Sequence, residues 1–343
     1  MAYGTVNADV IGTSVAGSNL GAGNATLMKN KIINGAMVIS QYNGTSAFTP
    51  TTTAGYGGPD RWSVNVTQNS KLTIQQNAGS VTPPTGFTNY AGITSSSAYS
   101  LSAGDYFVLQ QKIEGFNIAD LGWGTANAKT VTLSFQVYSS LTGTFGGSVY
   151  TGQYYPFTYS IPVANTWTTI FVTIAGSTSG TWPTNNTTGM VIAFGLGVGS
   201  TYSGTAGIWS NTVYLGATGA TSVVGTNGAT FYITGVQLEV GSSATGFEYR
   251  QYQQELALCQ RYYEQYGVQA QSPVSGQILV PTYFKVTKRT TPTISNIVAG
   301  SSSNASVSND SNNTDTTQAG FQITATGSNG YVVGRTNAAS SEL

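Results

Sequence analysis

The feature that leaves this chain least freedom is a two-residue period of apolar side chains, recurring from Lys31 to Val240. In RWSVNV, Trp62, Val64 and Val66 share one side, and KLTIQQ continues with Leu72 and Ile74. TVTLSFQVYSS sets Val131, Leu133, Phe135 and Val137 against Thr, Ser and Gln, and TIFVTIAG repeats the pattern with Ile170, Val172 and Ile174. Alternation of this kind buries one face of an antiparallel strand and wets the other, whereas a helix would scatter the same positions around its axis. In ATFYITGVQLEV, Phe231 and Ile233 hold one phase while Val236, Leu238 and Val240 hold the other. The switch falls at Gly235, where a bulge can absorb one residue. Roughly eight or nine such runs, separated by Gly, Asn, Ser and Pro, lie between residues 31 and 241, which suits a two-sheet jelly roll. Trp62 and Trp167 fall inside alternating runs and read as core.

One stretch breaks the rhythm. In EYRQYQQELALCQRYYEQYG, residues 248–267, Tyr252, Leu256, Cys259, Tyr263 and Tyr266 are spaced for a single helical stripe, which Gly267 would stop. Period two then returns in GQILVPTYFKVTKR, through Ile278, Val280, Thr282, Phe284 and Val286, and in GFQITATG, through Phe321 and Ile323. The expected fold class is all-β. An extended arm over 1–30 carries isolated anchors (Val6, Val10, Ile11, Leu20, Leu27) but no core of its own, so it would order only on a partner. A jelly-roll β-sandwich follows over 31–247, a helical joint over 248–267, and a smaller C-terminal β-sandwich over 268–343.

Composition excludes several functions. Charged residues make up 7% of the chain, against roughly 25% in an ordinary soluble domain, and the net charge is zero. There is no basic field to attract phosphates, so nucleic acid is not an expected partner. The longest apolar-leaning run, MVIAFGLGVG at 190–199, is about half a membrane span and is interrupted by glycine, so membrane insertion is not expected. MAYGTVNADV lacks the basic start and apolar block of a secretory signal, which points to synthesis in a cytoplasm. The chain has no histidine, which removes serine triads, histidine-based metal sites and most proton shuttles. Cys259, the only cysteine, can form no intrachain disulfide and has no histidine to activate it, so it reads as packing. No catalytic residue, metal or cofactor is expected.

The acids still need a reading, because a glycosidase requires only two carboxylates. Glu239, Glu248, Glu255 and Glu264 lie near Arg250 and Arg261 and read as structural ion pairs at a domain or subunit joint. Asp105, Glu114 and Asp120 flank YFVLQQKIEGFN, where calcium at a jelly-roll rim stays open, although no D-x-D-x-D spacing supports it. GLGVGS lacks the lysine and following helix of a phosphate loop and reads as a tight strand crossing. Among the aromatics, Tyr150, Tyr154 and Tyr155 crowd one loop, and Tyr202 and Trp209 another. Such rings either stack on sugars or pack at a sheet edge with their polar tips in solvent. The candidate sugar or receptor contacts are Tyr154, Tyr155, Tyr202 and Trp209.

The order of motifs is informative as well. KIINGAMVIS, GPDRWSV, LQQKIEGFN, KTVTLSFQVYSS, GTW at 180–182, FYITGVQLEVGSSATGFEYR and ELALCQRYY together resemble a recurrent family of phage tail fibre and tail appendage proteins with a carbohydrate-binding-like jelly roll. The resemblance covers 31 to about 266, and FKVTKRTTPTISN through NAASSEL is similar to the short β domain that often follows. It implies a homotrimeric, non-enzymatic virion component. Residues 1–30 would dock on other virion proteins, and the jelly roll would meet a bacterial surface glycan. No β-helical depolymerase repeat precedes the jelly roll, and the short arm suits a short tail fibre or fibre tip. The alternative is a head decoration, head fibre or tail-tip scaffold with no ligand; a glycan-degrading enzyme using two carboxylates is a third reading. In a trimer the helices would meet along Tyr252, Leu256, Cys259 and Tyr263, with Arg250, Glu255, Arg261 and Glu264 pairing between chains.

Overall fold

The computed structural model describes residues 28–51, 55–272, 275–298, 301–326 and 330–343. The expected arm therefore lies outside the described residues, apart from its last three.

The alternating region folds into strands β1 (Gly55–Tyr56), β2 (Ser63–Val66), β3 (Leu72–Gln76), β4 (Ala91–Ser95), β5 (Tyr106–Glu114), β6 (Val131–Ser139), β7 (Gly143–Tyr150), β8 (Tyr154–Ile161), β9 (Thr168–Ile174), β10 (Thr188–Val198), β11 (Ser203–Gly204), β12 (Gly216–Ala217) and β13 (Thr230–Val240). They form a six-stranded sheet ordered β1-β2-β5-β10-β7-β8 and a five-stranded sheet ordered β3-β4-β13-β6-β9, with a short β11–β12 pair outside both. The chain crosses between the two large sheets after β2, β4, β5, β6, β8 and β9 and, by way of β11 and β12, after β10, which makes the sandwich a jelly roll. In-phase residues meet between the sheets: Val64, Phe107, Leu109 and Phe194 from one, Leu133, Phe135, Val137 and Phe231 from the other, all buried. Trp62 is fully buried there, as expected.

The phase switch in β13 occurs where the sequence put it. Pairing with β6 jumps from Thr234–Gln136 to Gln237–Ser134, and Gly235 at the jump has a φ of 61°. A Cβ at Gly235 would lie 2.6 Å from the Phe87 ring, so this position needs glycine both for its left-handed backbone and for close approach.

The helix is shorter than expected. α1 runs Tyr252–Gln260, and Tyr263 opens strand β14 (Tyr263–Ser272). Tyr263 to Gly267 pair with Ser340 to Thr336, so a ladder formed with the far end of the chain overrides the local helical spacing. Gly267 accordingly sits inside a strand instead of stopping a helix. The expected stripe is not one surface: Tyr252 is 59% exposed, Leu256 is half-buried, Cys259 is sealed against Ile33, Ile39 and Tyr262, and Tyr263 stacks on Tyr42. The buried residues of α1 are instead Glu255, Cys259 and Gln260, with Glu255 accepting the backbone N–H of Asn34. The charges expected to pair between chains pair within one. Arg250 meets Glu248 at 3.4 Å and Glu255 at 3.5 Å, Arg261 meets Glu114 at 2.6 Å, and Glu264 meets the fully buried Lys288 at 2.7 Å.

Strands β15 (Gly276–Tyr283), β16 (Thr293–Val298), β17 (Ser301–Ser303), β18 (Ala305–Asp310), β19 (Gln318–Ala325) and β20 (Gly330–Ser340) complete the chain. One small sheet is ordered β14-β20-β16 with β17 also on β20, and the other β15-β19-β18; they share a core of Tyr266, Val268, Phe321 and Ala339. This smaller sandwich meets the jelly roll along a charged seam. Glu114 accepts two bonds from Arg261, at 2.9 and 2.6 Å, and one from the Tyr262 hydroxyl at 2.7 Å. The Arg61 guanidinium lies 3.5 Å from the centre of the Tyr262 ring and pairs with Glu342.

Candidate functional site

The four sequence-predicted contacts separate into two places. Tyr154 and Tyr155 are neighbours on β8 and point to opposite sides of the sheet. Tyr155 faces the end of the core, tilted against Trp209 at 4.9 Å, and Trp209 sits edge-on to Trp123 and Trp182. The Trp209 indole N–H donates to the Ala175 carbonyl at 2.9 Å, so the group closes one end of the sandwich. Tyr154 lies on the outer face of the six-stranded sheet, stacked on Tyr150 at 5.3 Å, and Tyr202 meets Tyr106 edge-on at 5.3 Å on the same face.

That outer face is covered. Residues 199–217 fold back over it: Tyr154 and Ser210 exchange two backbone bonds of 2.9 Å, Gly207 donates to the Pro156 carbonyl, and Leu215 buries Val108 and Ala193 completely. Tyr150 donates to Gln110 at 3.0 Å, and burial pushes the Tyr150 phenol well above its ordinary pKa. Toward the other end of β5, Lys112 and Glu114 lie under the C-terminal seam. Tyr154 and Tyr202 are thus half-buried members of a packed layer.

The opposite outer face, on the five-stranded sheet, is open over β6 and β9, where Phe171 stands in solvent. Here β6 turns Ser134, Gln136 and Tyr138 outward and β9 turns Thr169 and Phe171, while Tyr232 and Thr234 of β13 point the same way but are buried, Tyr232 against Ala78 and Tyr90 and Thr234 on the Asn89 carbonyl. Trp167, expected in the core, is half-buried on this side, with its indole N–H on the Thr82 carbonyl at 2.8 Å, because it precedes β9 at the strand's solvent phase. It joins Tyr90, Tyr138 and Tyr232 in one aromatic group, with the Tyr138 and Tyr232 rings 5.4 Å apart and nearly parallel. Beside it, Phe87, Phe247 and Tyr249 from two loops contact one another at 4.9–5.6 Å. Phe171 is 63% exposed and Tyr249 60%. Between them lies an open groove of about 270 Å³ whose lining, among the described residues, carries no charge.

The carboxylates are committed elsewhere. Of the twelve acids in the sequence, all but Asp9 are described, and each of those has a partner. Asp105 accepts from Thr67, Gln68, Tyr99 and the Ser102 N–H; burial works to raise its pKa, and these bonds hold it below its ordinary value. Glu114 behaves alike: burial opposes its charge, and Arg261 and Tyr262 outweigh burial. The calcium reading for Asp105, Glu114 and Asp120 fails on geometry. Asp105 precedes a nine-residue strand and Glu114 ends it, about 30 Å away, and Asp120 pairs with Lys31. Among the described residues no group of three acids or cysteines is placed to hold a metal ion, and no helix is long and apolar enough to cross a membrane.

Fold and surface define an all-β protein, a jelly roll joined to a smaller sandwich, with an accessible aromatic groove on the five-stranded sheet. No protein-family model matches the chain, and no curated protein matches its sequence. Among solved structures it is similar to the enzymatically active domain of tailspike protein 4 of bacteriophage CBA120, at 14% identity and a TM-score of 0.33, over 62% of this chain and 21% of that one. It is also similar to TmCBM61 in complex with β-1,4-galactotriose, at 10% identity and a TM-score of 0.31, over 62% of this chain and 99% of that one. A third likeness is to the family 11 carbohydrate-binding module of Clostridium thermocellum in complex with a β-1,3-1,4-mixed-linked tetrasaccharide, at 11% identity and a TM-score of 0.29, over 60% of this chain and all of that one. At such scores the superpositions are loose, and the fold assignment rests on this chain's own topology.

Proposed function

We propose that this protein is a non-catalytic component of a bacteriophage virion appendage, a short tail fibre or fibre tip, that recognises a glycan on a bacterial surface. The observation that carries the glycan reading is the contrast in chemistry between committed charges and available rings. Every described carboxylate is engaged within the chain, while exposed aromatic faces, amides and hydroxyls remain free to meet a ligand. Stacking on rings and hydrogen bonding to neutral polar groups bind sugars, whereas hydrolysis needs a pair of acids facing one cleft. The virion setting draws its support from the sequence motifs and from the scarcity of charge. Assembly into a homotrimer, with residues 1–30 docking on other virion proteins, belongs to the same proposal. With Cys259 and Tyr263 packed within the chain, the apolar residues available to a second copy include Leu279 and Tyr283 on β15, 57% and 72% exposed.

The test is binding of the purified full chain to a glycan array, with mass measured by light scattering in the same buffer. Saturable glycan binding by a species three times the chain mass is the expected result. A monomer that binds no glycan would overturn the proposal and favour a ligand-free virion scaffold.

A further inference from the structure

We infer that the glycan site is the open groove on the outer face of the five-stranded sheet, and that it takes a neutral sugar chain. This rests on the glycan reading above and narrows it to one surface and one ligand chemistry. Three observations converge there. First, the rings: Phe171 and Tyr249 are among the most exposed large side chains of the jelly roll, and they stand on either side of a shared floor. Large apolar groups held in solvent around a concave surface mark a binding site more often than chance exposure does.

Second, the groove is built and held in place. Phe87 occupies the space that Gly235 leaves at the bulge, and Phe247 and Tyr249 pack on Phe87. Their loop is tied to the sheet through Glu239, which accepts from the Thr245 N–H at 2.8 Å and from its hydroxyl at 2.6 Å. The Glu248 N–H in turn donates to Gln237 at 2.8 Å. The bulge that resolves a phase conflict in the core thus also seats one wall of the groove.

Third, the polar groups lining the groove are neutral, and one of them keeps spare hydrogen-bonding capacity. The Gln136 side-chain carbonyl accepts from the Thr169 hydroxyl at 3.0 Å, which leaves its amide nitrogen with no protein partner among the described residues. Ser134 adds a hydroxyl two residues along the same strand face. A pyranose offers an apolar face to a ring and a rim of hydroxyls to amides, and this arrangement supplies both. The charges nearest the groove, Lys29 and Glu239, both bond to Thr245 and pair with each other at 3.8 Å, so a charged sugar would find no free counter-ion here, and desolvating its carboxylate or sulfate without one is costly. Half-buried Tyr138 and Trp167, packed on the buried Tyr232, continue along β6 from Gln136, so the surface extends beyond one ring and suits a chain of sugars.

The experiment compares the intact protein with Phe171→Ala, Tyr249→Ala, Gln136→Ala and, as a control, Tyr202→Ala, on an array of neutral, sialylated and sulfated oligosaccharides. Circular dichroism melts check that each variant is folded. The expected result is preference for neutral chains, a loss of about tenfold in affinity for each of the first two variants and a smaller loss for the third. Tyr202→Ala should bind as the parent does. Binding that survives Phe171→Ala and Tyr249→Ala but falls in Tyr202→Ala would overturn the site while leaving the glycan reading intact. Selective binding of acidic glycans would overturn the ligand chemistry. No binding to any glycan by the parent would overturn the functional reading itself, and with it this inference.

Discussion

The two outer faces of the jelly roll carry similar side chains and have opposite fates. On the six-stranded sheet, Tyr106, Tyr150, Tyr154 and Tyr202 lie under residues 199–217, while Lys112 and Glu114 lie under the C-terminal seam. On the five-stranded sheet, Phe171 and Tyr249 stand in solvent beside Gln136 and Thr169. Tyrosine suits both settings, because its ring packs like a hydrocarbon and its hydroxyl tolerates a wet edge. What separates packing from recognition is therefore the covering layer, and the covering layer comes from distant parts of the chain.

If the two faces differ as described, the same substitution should act differently on each. Val108→Asp puts a carboxylate beneath Leu215 with no partner, and should cost roughly 3–5 kcal/mol and abolish cooperative folding. Chemical denaturation checks this, and a mild effect would mean that residues 199–217 do not seal the face.

A second test uses pH and the seam. Asp60 is buried beside Gln41, and desolvation raises its pKa from 3.8 to about 6 against the hydrogen bonds that Gln41 donates. Its folded pKa lies above the unfolded one, so the folded state holds the proton longer and stability falls as pH rises between about 4 and 6. Above that window the full cost, about 3 kcal/mol, is present. Asp60→Asn should flatten this slope in melts taken across the window, and an unchanged slope would contradict the burial of that carboxyl.

Glu114 works in the opposite direction, since Arg261 and Tyr262 hold its folded pKa down and its contribution is lost as pH falls. Glu114→Gln should cost about 2 kcal/mol at neutral pH and loosen the smaller sandwich from the jelly roll, read as faster proteolysis between residues 240 and 263. The smallest effect is expected from Phe171→Asp, the counterpart of Val108→Asp on the open face. It should change stability by about 0.5 kcal/mol or less. A large loss there would show that something packs on this face after all.

The period-two strands and the bulge at Gly235 were legible because they depend on neighbours in the sequence. The charges at 248–264 were legible as structural pairs, though the partners Glu114 and Lys288 lie far along the chain. Tyr263 was misread because an apolar residue four places after Cys259 fits a helix, and only pairing with β20 makes it a strand. Tyr154 and Tyr202 were chosen for their loops, which say nothing about what folds over them. Phe171 carried a usable signal: it is a large aromatic at the polar phase of TIFVTI, where burial cannot explain it. Phe87, Phe247 and Tyr249 gave none, since only the folded chain brings their loops to the same sheet.

Hydroxyl-radical footprinting of the intact protein reads both faces at once. The account expects Phe171 and Tyr249 to oxidise at rates close to those of the unfolded chain, and Tyr106 and Tyr150 to be protected severalfold. Equal rates on the two faces, or protection of Phe171 and Tyr249 with Tyr106 and Tyr150 reactive, would contradict it.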